Sequence, residues 1–221
     1  MLFCTAGELV GFGAIPVLGG AIAFSLTGSL SPGLRSLVLY AVAIIGGFGE
    51  GAVLAAFQLQ VLRERFPRLN ARRWILSTAL AASVAWLCGY LAPTLDDLIG
   101  ISPVTQVVIW IPAGVLILLS IGSAQAWALR DTVEKPSQWI TANVLGWLCG
   151  LPWTFVLPAA LPDTAPVAVR AATFVLAGML MGTTVGVVTG YTLVRLVPVG
   201  SSDEGDSSAV NATTRPTNDR C

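Results

Sequence analysis

Polar positions are sparse along the chain and separate long apolar runs, six of which are long enough to cross a hydrocarbon core of about 30 Å. They lie at 9–30, 35–62, 74–94, 104–129, 139–161 and 167–197. The second and sixth exceed the minimum and are expected to tilt or to project beyond the core. The pattern predicts an all-α, polytopic membrane domain of six transmembrane helices over residues 1–198. The stretch 199–221 is rich in Ser, Asp, Thr and Asn. It carries too little apolar surface to fold and is expected to be a disordered tail.

The polar punctuation repeats. One copy runs through Gln58, Leu62-Arg63, a basic loop, Trp74-Ile75 and Trp86 to Cys88-Gly89. The next runs through Gln125, Leu129-Arg130, a charged loop, Trp139-Ile140 and Trp147 to Cys149-Gly150. A fainter ending recurs from Gly190 to Arg195. This predicts three two-helix repeats, near 1–66, 67–133 and 134–198, all of one orientation and related by an axis along the membrane normal. The first copy lacks a Trp-Ile start.

Composition sharpens the reading. Charged residues make up 11% of the 221-residue chain and hydrophobic ones 55%, against about 25% charged in an ordinary soluble domain. Arg63, Arg65, Arg68, Arg72, Arg73, Arg130, Lys135 and Arg195 collect on one side, and Arg215 and Arg220 of the tail join them. The other side keeps Arg35 and Arg170 beside Asp96, Asp97 and Asp163. The positive-inside rule then places both termini in the cytoplasm, in a plasma membrane. Trp74 and Trp139 are read as interfacial anchors at that side. The N-terminal run has no basic n-region, and Glu8 sits where one belongs, so it is read as a retained helix. The alternative is a cleavage site at Ala21, Ile22 and Ala23.

There is no histidine, and Cys4, Cys88, Cys149 and Cys221 form no Cys-x-x-Cys pair. No metal, haem or other cofactor is therefore expected. No Ser-His, Ser-Lys or paired-carboxylate constellation can be assembled within the spans, so an enzyme is not expected. No basic patch beyond the loops points to nucleic acid.

The Gln-x-x-x-Leu-Arg helix end followed by a short loop and Trp-Ile resembles a group of small, uncharacterised bacterial integral membrane proteins with tandem two-helix repeats. The matching positions are Gln58, Leu62, Arg63 and Trp74, then Gln125, Leu129, Arg130 and Trp139, then Gly186, Gly190, Leu193 and Leu196. The resemblance covers roughly residues 46–197. Leu59 and Ala126 stand where the group has Trp after Gln. It implies the fold and no particular activity.

Glu50 is the sharpest single candidate. It precedes Arg63 by 13 residues, which at helical rise puts it about 20 Å from the basic boundary, past the midplane. Ionisable groups at such depth are costly and usually functional. Gly46, Gly47, Gly49 and Gly51 surround it, a run that allows close helix approach or a break in the helix. The functional reading is a proton- or cation-coupled transport site. The structural reading is a neutral carboxyl hydrogen-bonded to an adjacent helix, with the Trp86 indole, Thr183 and Thr184 at similar depth, and a third reading turns Glu50 outward on a helix that begins later.

Gln58 and Gln125, with Thr78 and Asn143, form an expected polar layer near the basic side, Gln58 beside Thr78 and Gln125 beside Asn143. It either holds helices together or lines a ligand path. Cys88 and Cys149 are equivalent within the repeat and are read as apolar packing, a redox pair being the alternative. Gly182, Gly186 and Gly190 recur every four residues and form a helix-packing face, inside the monomer or between subunits of a homo-oligomer or membrane partner. The Arg63–Arg73 loop sets topology and has the charge density to attract anionic lipid. Two functions follow: transport of a small solute or ion, alone or as a permease component, through an intramembrane carboxyl; or non-catalytic membrane interaction and assembly.

Overall fold

Residues 30–162 and 164–198 are described by a computed structural model of the chain. The expected helix at 9–30, apart from Leu30, and the tail lie outside the described residues, as does Asp163. The rest is helical: α1 Pro32–Arg65, α2 Ala71–Ile99, α3 Pro103–Leu129, α4 Ser137–Gly150, α5 Pro152–Ala159 and α6 Val167–Arg195. Counting α4 and α5 as one apolar stretch, Ser137–Ala159, five helices among the described residues are long and apolar enough to cross a membrane. The chain is thus a multi-pass membrane protein.

Local chemistry explains the ends. Pro32 and Pro103 occupy the first helical turn, where a missing N–H costs nothing. The side chains of Asn70 and Ser102 accept the backbone N–H groups of Arg73 and Thr105 at 3.0 and 3.1 Å. Gly100, at φ 65°, closes α2 in the left-handed conformation. Pro152 has no N–H for the carbonyl four residues back, and the apolar stretch Ser137–Ala159 is interrupted there.

The helices pack largely in chain order, α1 on α2, α2 on α3, α3 on α4, with α6 against α4 and α5. The glycine run does not break α1, which is continuous. It lets α2 come close instead. A Cβ at Gly51 would lie 2.6 Å from Ala82 Cβ and 2.9 Å from both the Thr78 carbonyl oxygen and Ala79 Cα. At Gly47 it would lie 2.3 Å from Cδ1 of Trp86. The same interface carries a ladder of polar contacts. Ser36 donates to Asp97, Tyr40 to the Leu87 carbonyl and Ser83 to the Ile44 carbonyl.

All the helices except α5 meet at the basic end. Leu62, Phe66, Leu69, Trp74, Leu129, Val133, Trp139 and Leu196 form one buried cluster there. Trp74 and Trp139 are 0% and 3% exposed and meet edge to face, with ring centroids 6.1 Å apart. This corrects the reading of them as interfacial anchors. The connecting segments fold back over both rings and supply Phe66, Leu69, Val133 and Leu196 as a cover. The exposed indole at this end is Trp127, with the guanidinium groups of Arg73 and Arg130 each 5.1 Å from its ring. The end is tied across the bundle as well. Arg65 donates to the carbonyls of Val194 and Leu196 at 3.2 and 3.3 Å, a cation on the last turn of α6. Val133 bridges Pro198, and the Glu134 N–H reaches the Val197 carbonyl.

Asp131 sits between Arg73 and Arg130 at this end and is exposed. The hydrogen bond from Arg73 holds its carboxyl below the ordinary aspartate value, with both guanidinium charges adding to the effect. A lowered folded-state value means that the contribution is present above the unfolded-state value and lost as pH falls through the folded one. Asp131→Asn is therefore expected to melt slightly below wild type near neutral pH. The gap should close on acidification below the usual aspartate range, as read by thermal unfolding in detergent across pH.

Candidate functional site

Two polar clusters occupy the interior, at different distances from the basic end. The nearer one is centred on Gln125, which is completely buried. Its Nε2 donates to Gln58 Oε1 at 2.8 Å and to Thr78 Oγ1 at 3.3 Å, and its Oε1 accepts from the Trp139 indole at 2.8 Å. One amide thus joins α1, α2, α3 and α4. The expected layer exists, but the pairing differs. Gln125 takes both Gln58 and Thr78, while Asn143 donates to the Trp139 carbonyl of its own helix at 2.9 Å. Gly122 explains the difference in part. A Cβ there would lie 2.8 Å from Asn143 Cβ, so α3 meets α4 at Asn143 through backbone rather than through an amide. Trp74 stands where Trp139 stands in the other copy, yet its buried indole nitrogen has no hydrogen-bond partner among the described residues. The oxygen it would use by analogy, Gln58 Oε1, already accepts from Gln125.

The deeper cluster is built on Glu50, 5% exposed, whose Oε2 accepts the Trp86 indole N–H at 2.8 Å. Trp86 is held over Gly47 and stacks on Tyr90 one turn further along α2, with centroids 5.5 Å apart. This bond belongs to the α1–α2 ladder and meets the structural reading of Glu50. The surroundings go beyond it. Glu50 lines a cavity of about 310 Å³ whose wall also includes Trp86, Tyr90, Trp110, Trp147 and Phe155, drawn from α2 through α5. Among the described residues, Glu50 is the only carboxylate in that wall, and no basic side chain is in it.

The remaining candidates lie elsewhere. Thr183 is exposed on α6, and Thr184 donates to the Leu180 carbonyl of its own helix at 2.8 Å. Neither joins Glu50, because α6 does not pack on α1. Cys88 is buried and Cys149 exposed, so the two thiols are not brought together. Gly182 and Gly186 are buried and Gly190 half-buried. On the same helix, Met181 and Val185 fill the spaces that Gly150 and Gly146 leave on α4. Among the described residues no cluster of His, Cys, Asp and Glu has metal-binding geometry.

The aromatic wall was not anticipated. Trp86 and Tyr90 are four residues apart on one helix face, which was a signal available in the sequence, but Trp110, Trp147 and Phe155 come from separate helices. Comparison with protein-family models, with curated proteins and with solved structures finds no match to this chain.

Proposed function

We propose that the protein is a membrane carrier for a small solute or ion, or the membrane component of a permease, with Glu50 as its intramembrane carboxyl. The observation that supports this reading is the cavity: a buried carboxyl deep in the span forms part of the wall of a space large enough for a small molecule. The reading includes six spans arranged as three parallel hairpins in a plasma membrane. It places both termini in the cytoplasm and the exposed Arg63, Arg68 and Arg72 among anionic headgroups. The alternative, a non-catalytic membrane interaction or assembly protein, draws on the sparse polar interior and on the glycine stripe of the last helix. Gly182 and Gly186 are buried within the chain, so that stripe is not free for a partner.

Glu50→Gln separates the two. The amide oxygen of Gln keeps an acceptor for the Trp86 indole, so the variant should fold and melt close to wild type. Native mass spectrometry of the protein released gently from its own membrane should show a reproducible small-molecule adduct on the wild type and none on Glu50→Gln. A protein partner in fixed ratio, with no adduct and no effect of the substitution, would sink the carrier reading.

A further inference from the structure

We infer that the cavity beside Glu50 takes a lipophilic, monovalent organic cation, a quaternary ammonium or phosphonium ion or a protonated amine with apolar substituents. The inference rests on the reading of Glu50 as a ligand-facing carboxyl and adds the class of ligand. Five of the wall residues are Trp86, Tyr90, Trp110, Trp147 and Phe155. Ring faces carry negative potential and attract cations, most strongly where water is excluded. The sixth, Glu50, is a carboxyl that gives up its proton as a cation enters and so supplies one compensating negative charge, and its hydrogen bond from Trp86 fixes it in place. The rest of the wall is alanine, glycine, leucine and isoleucine.

That composition rejects other classes. A sugar or another polyhydroxylated solute would lose its hydrogen bonds to water and find few replacements. An anion would meet a carboxyl and ring faces with no basic side chain. A bare metal cation needs several oxygen ligands at short range, whereas the wall offers one carboxyl and the Tyr90 hydroxyl. A cation that carries its own apolar coat needs neither ligands nor donors, only a cage and a counter-charge.

The route in points the same way. Tyr90, Trp110 and Phe155 are 42%, 40% and 69% exposed on apolar stretches long enough to cross a membrane. A cavity rimmed by exposed aromatic side chains on such stretches suits a ligand that partitions into the bilayer first.

Tetraphenylphosphonium and tetraphenylborate share size and shape and differ in charge, so they test the inference directly. Their binding is measured by equilibrium dialysis against the full chain in lipid nanodiscs, with empty nanodiscs as baseline. The phosphonium is expected to bind saturably at one per chain, and tetraphenylborate to follow the empty-disc baseline. Glu50→Gln and Trp110→Ala should each weaken phosphonium binding by tenfold or more. Trp110 is 40% exposed and, among the described residues, its side chain has no hydrogen bond, ion pair or ring stacking, so its variant remains informative if Glu50→Gln folds poorly. Equal binding of the borate, or unchanged affinity in Trp110→Ala, overturns the inference. The carrier reading fails separately. A neutral or anionic adduct that Glu50→Gln abolishes would leave that reading standing and remove this one.

Discussion

Gly51→Ala is expected to destabilise the protein by about 1–3 kcal/mol, the usual range for forcing an extra carbon into a packed interior. The new methyl would meet the Thr78 carbonyl and the Ala79 Cα as well as Ala82 Cβ. Two of these three atoms are backbone, so relief requires α1 and α2 to separate. Separation would stretch the contacts that Tyr40, Ser83 and Trp86 make across the same interface. Thermal unfolding in detergent should show the loss as a clear drop in midpoint. Gly178→Ala is the control. Nothing lies within 4 Å of a Cβ at that position, and alanine there should be neutral or stabilising by up to about 1 kcal/mol through its better helix propensity. If the two variants melt alike, the close approach of α1 and α2 is not what holds them. Gly47→Ala belongs to the same interface but acts on the site, since its methyl would displace the Trp86 ring from beside Glu50.

The second large effect is expected at Gln125. Gln125→Leu removes three buried hydrogen bonds and leaves the Trp139 indole N–H without its acceptor. Interhelical bonds in membranes average about 0.6 kcal/mol, and an orphaned buried donor costs about 1–3 kcal/mol. A total near 3 kcal/mol is expected. Gln58→Leu should cost less, because Gln58 supplies one acceptor and Gln125 keeps its bonds to Thr78 and Trp139. The double variant should be milder than the sum, since each substitution removes the partner that the other would strand. Strict additivity in that cycle would mean that the 2.8 Å contact carries no coupling.

Much of the architecture is readable from the sequence because hydrocarbon imposes a single demand, a long apolar run closed on itself by helical hydrogen bonds. The expected runs at 35–62, 74–94, 104–129, 139–161 and 167–197 each fall largely on a helix or on the α4–α5 pair. Which way each helix turns is another matter. A span that is apolar all round has no polar face to mark its outside. The pairing of Gln125 with Gln58 and Thr78, rather than with Asn143, depends on that rotation. So does the opposite fate of Cys88 and Cys149. Trp74 and Trp139 were ambiguous for a different reason. An indole next to arginines at a helix start suits a headgroup layer, and it equally suits a core roofed by the adjoining loops. Only the long-range arrival of Phe66, Val133 and Leu196 decides between them. The aromatic cage required helices from four parts of the chain to come together, and spacing within any one of them does not record that.

The ties at the basic end also set an order of assembly. Most helices dock on the one just made, so hairpins can pack as they enter the bilayer, and the long-range closures come last. Arg65 cannot cap Val194 and Leu196, nor Val133 bridge Pro198, until the final span is in place. The chain thus carries its own completion check. A copy truncated before Val194 would hold its early hairpins yet leave the Trp74 and Trp139 core without Leu196 as part of its cover, an exposed apolar surface of the kind that quality control removes.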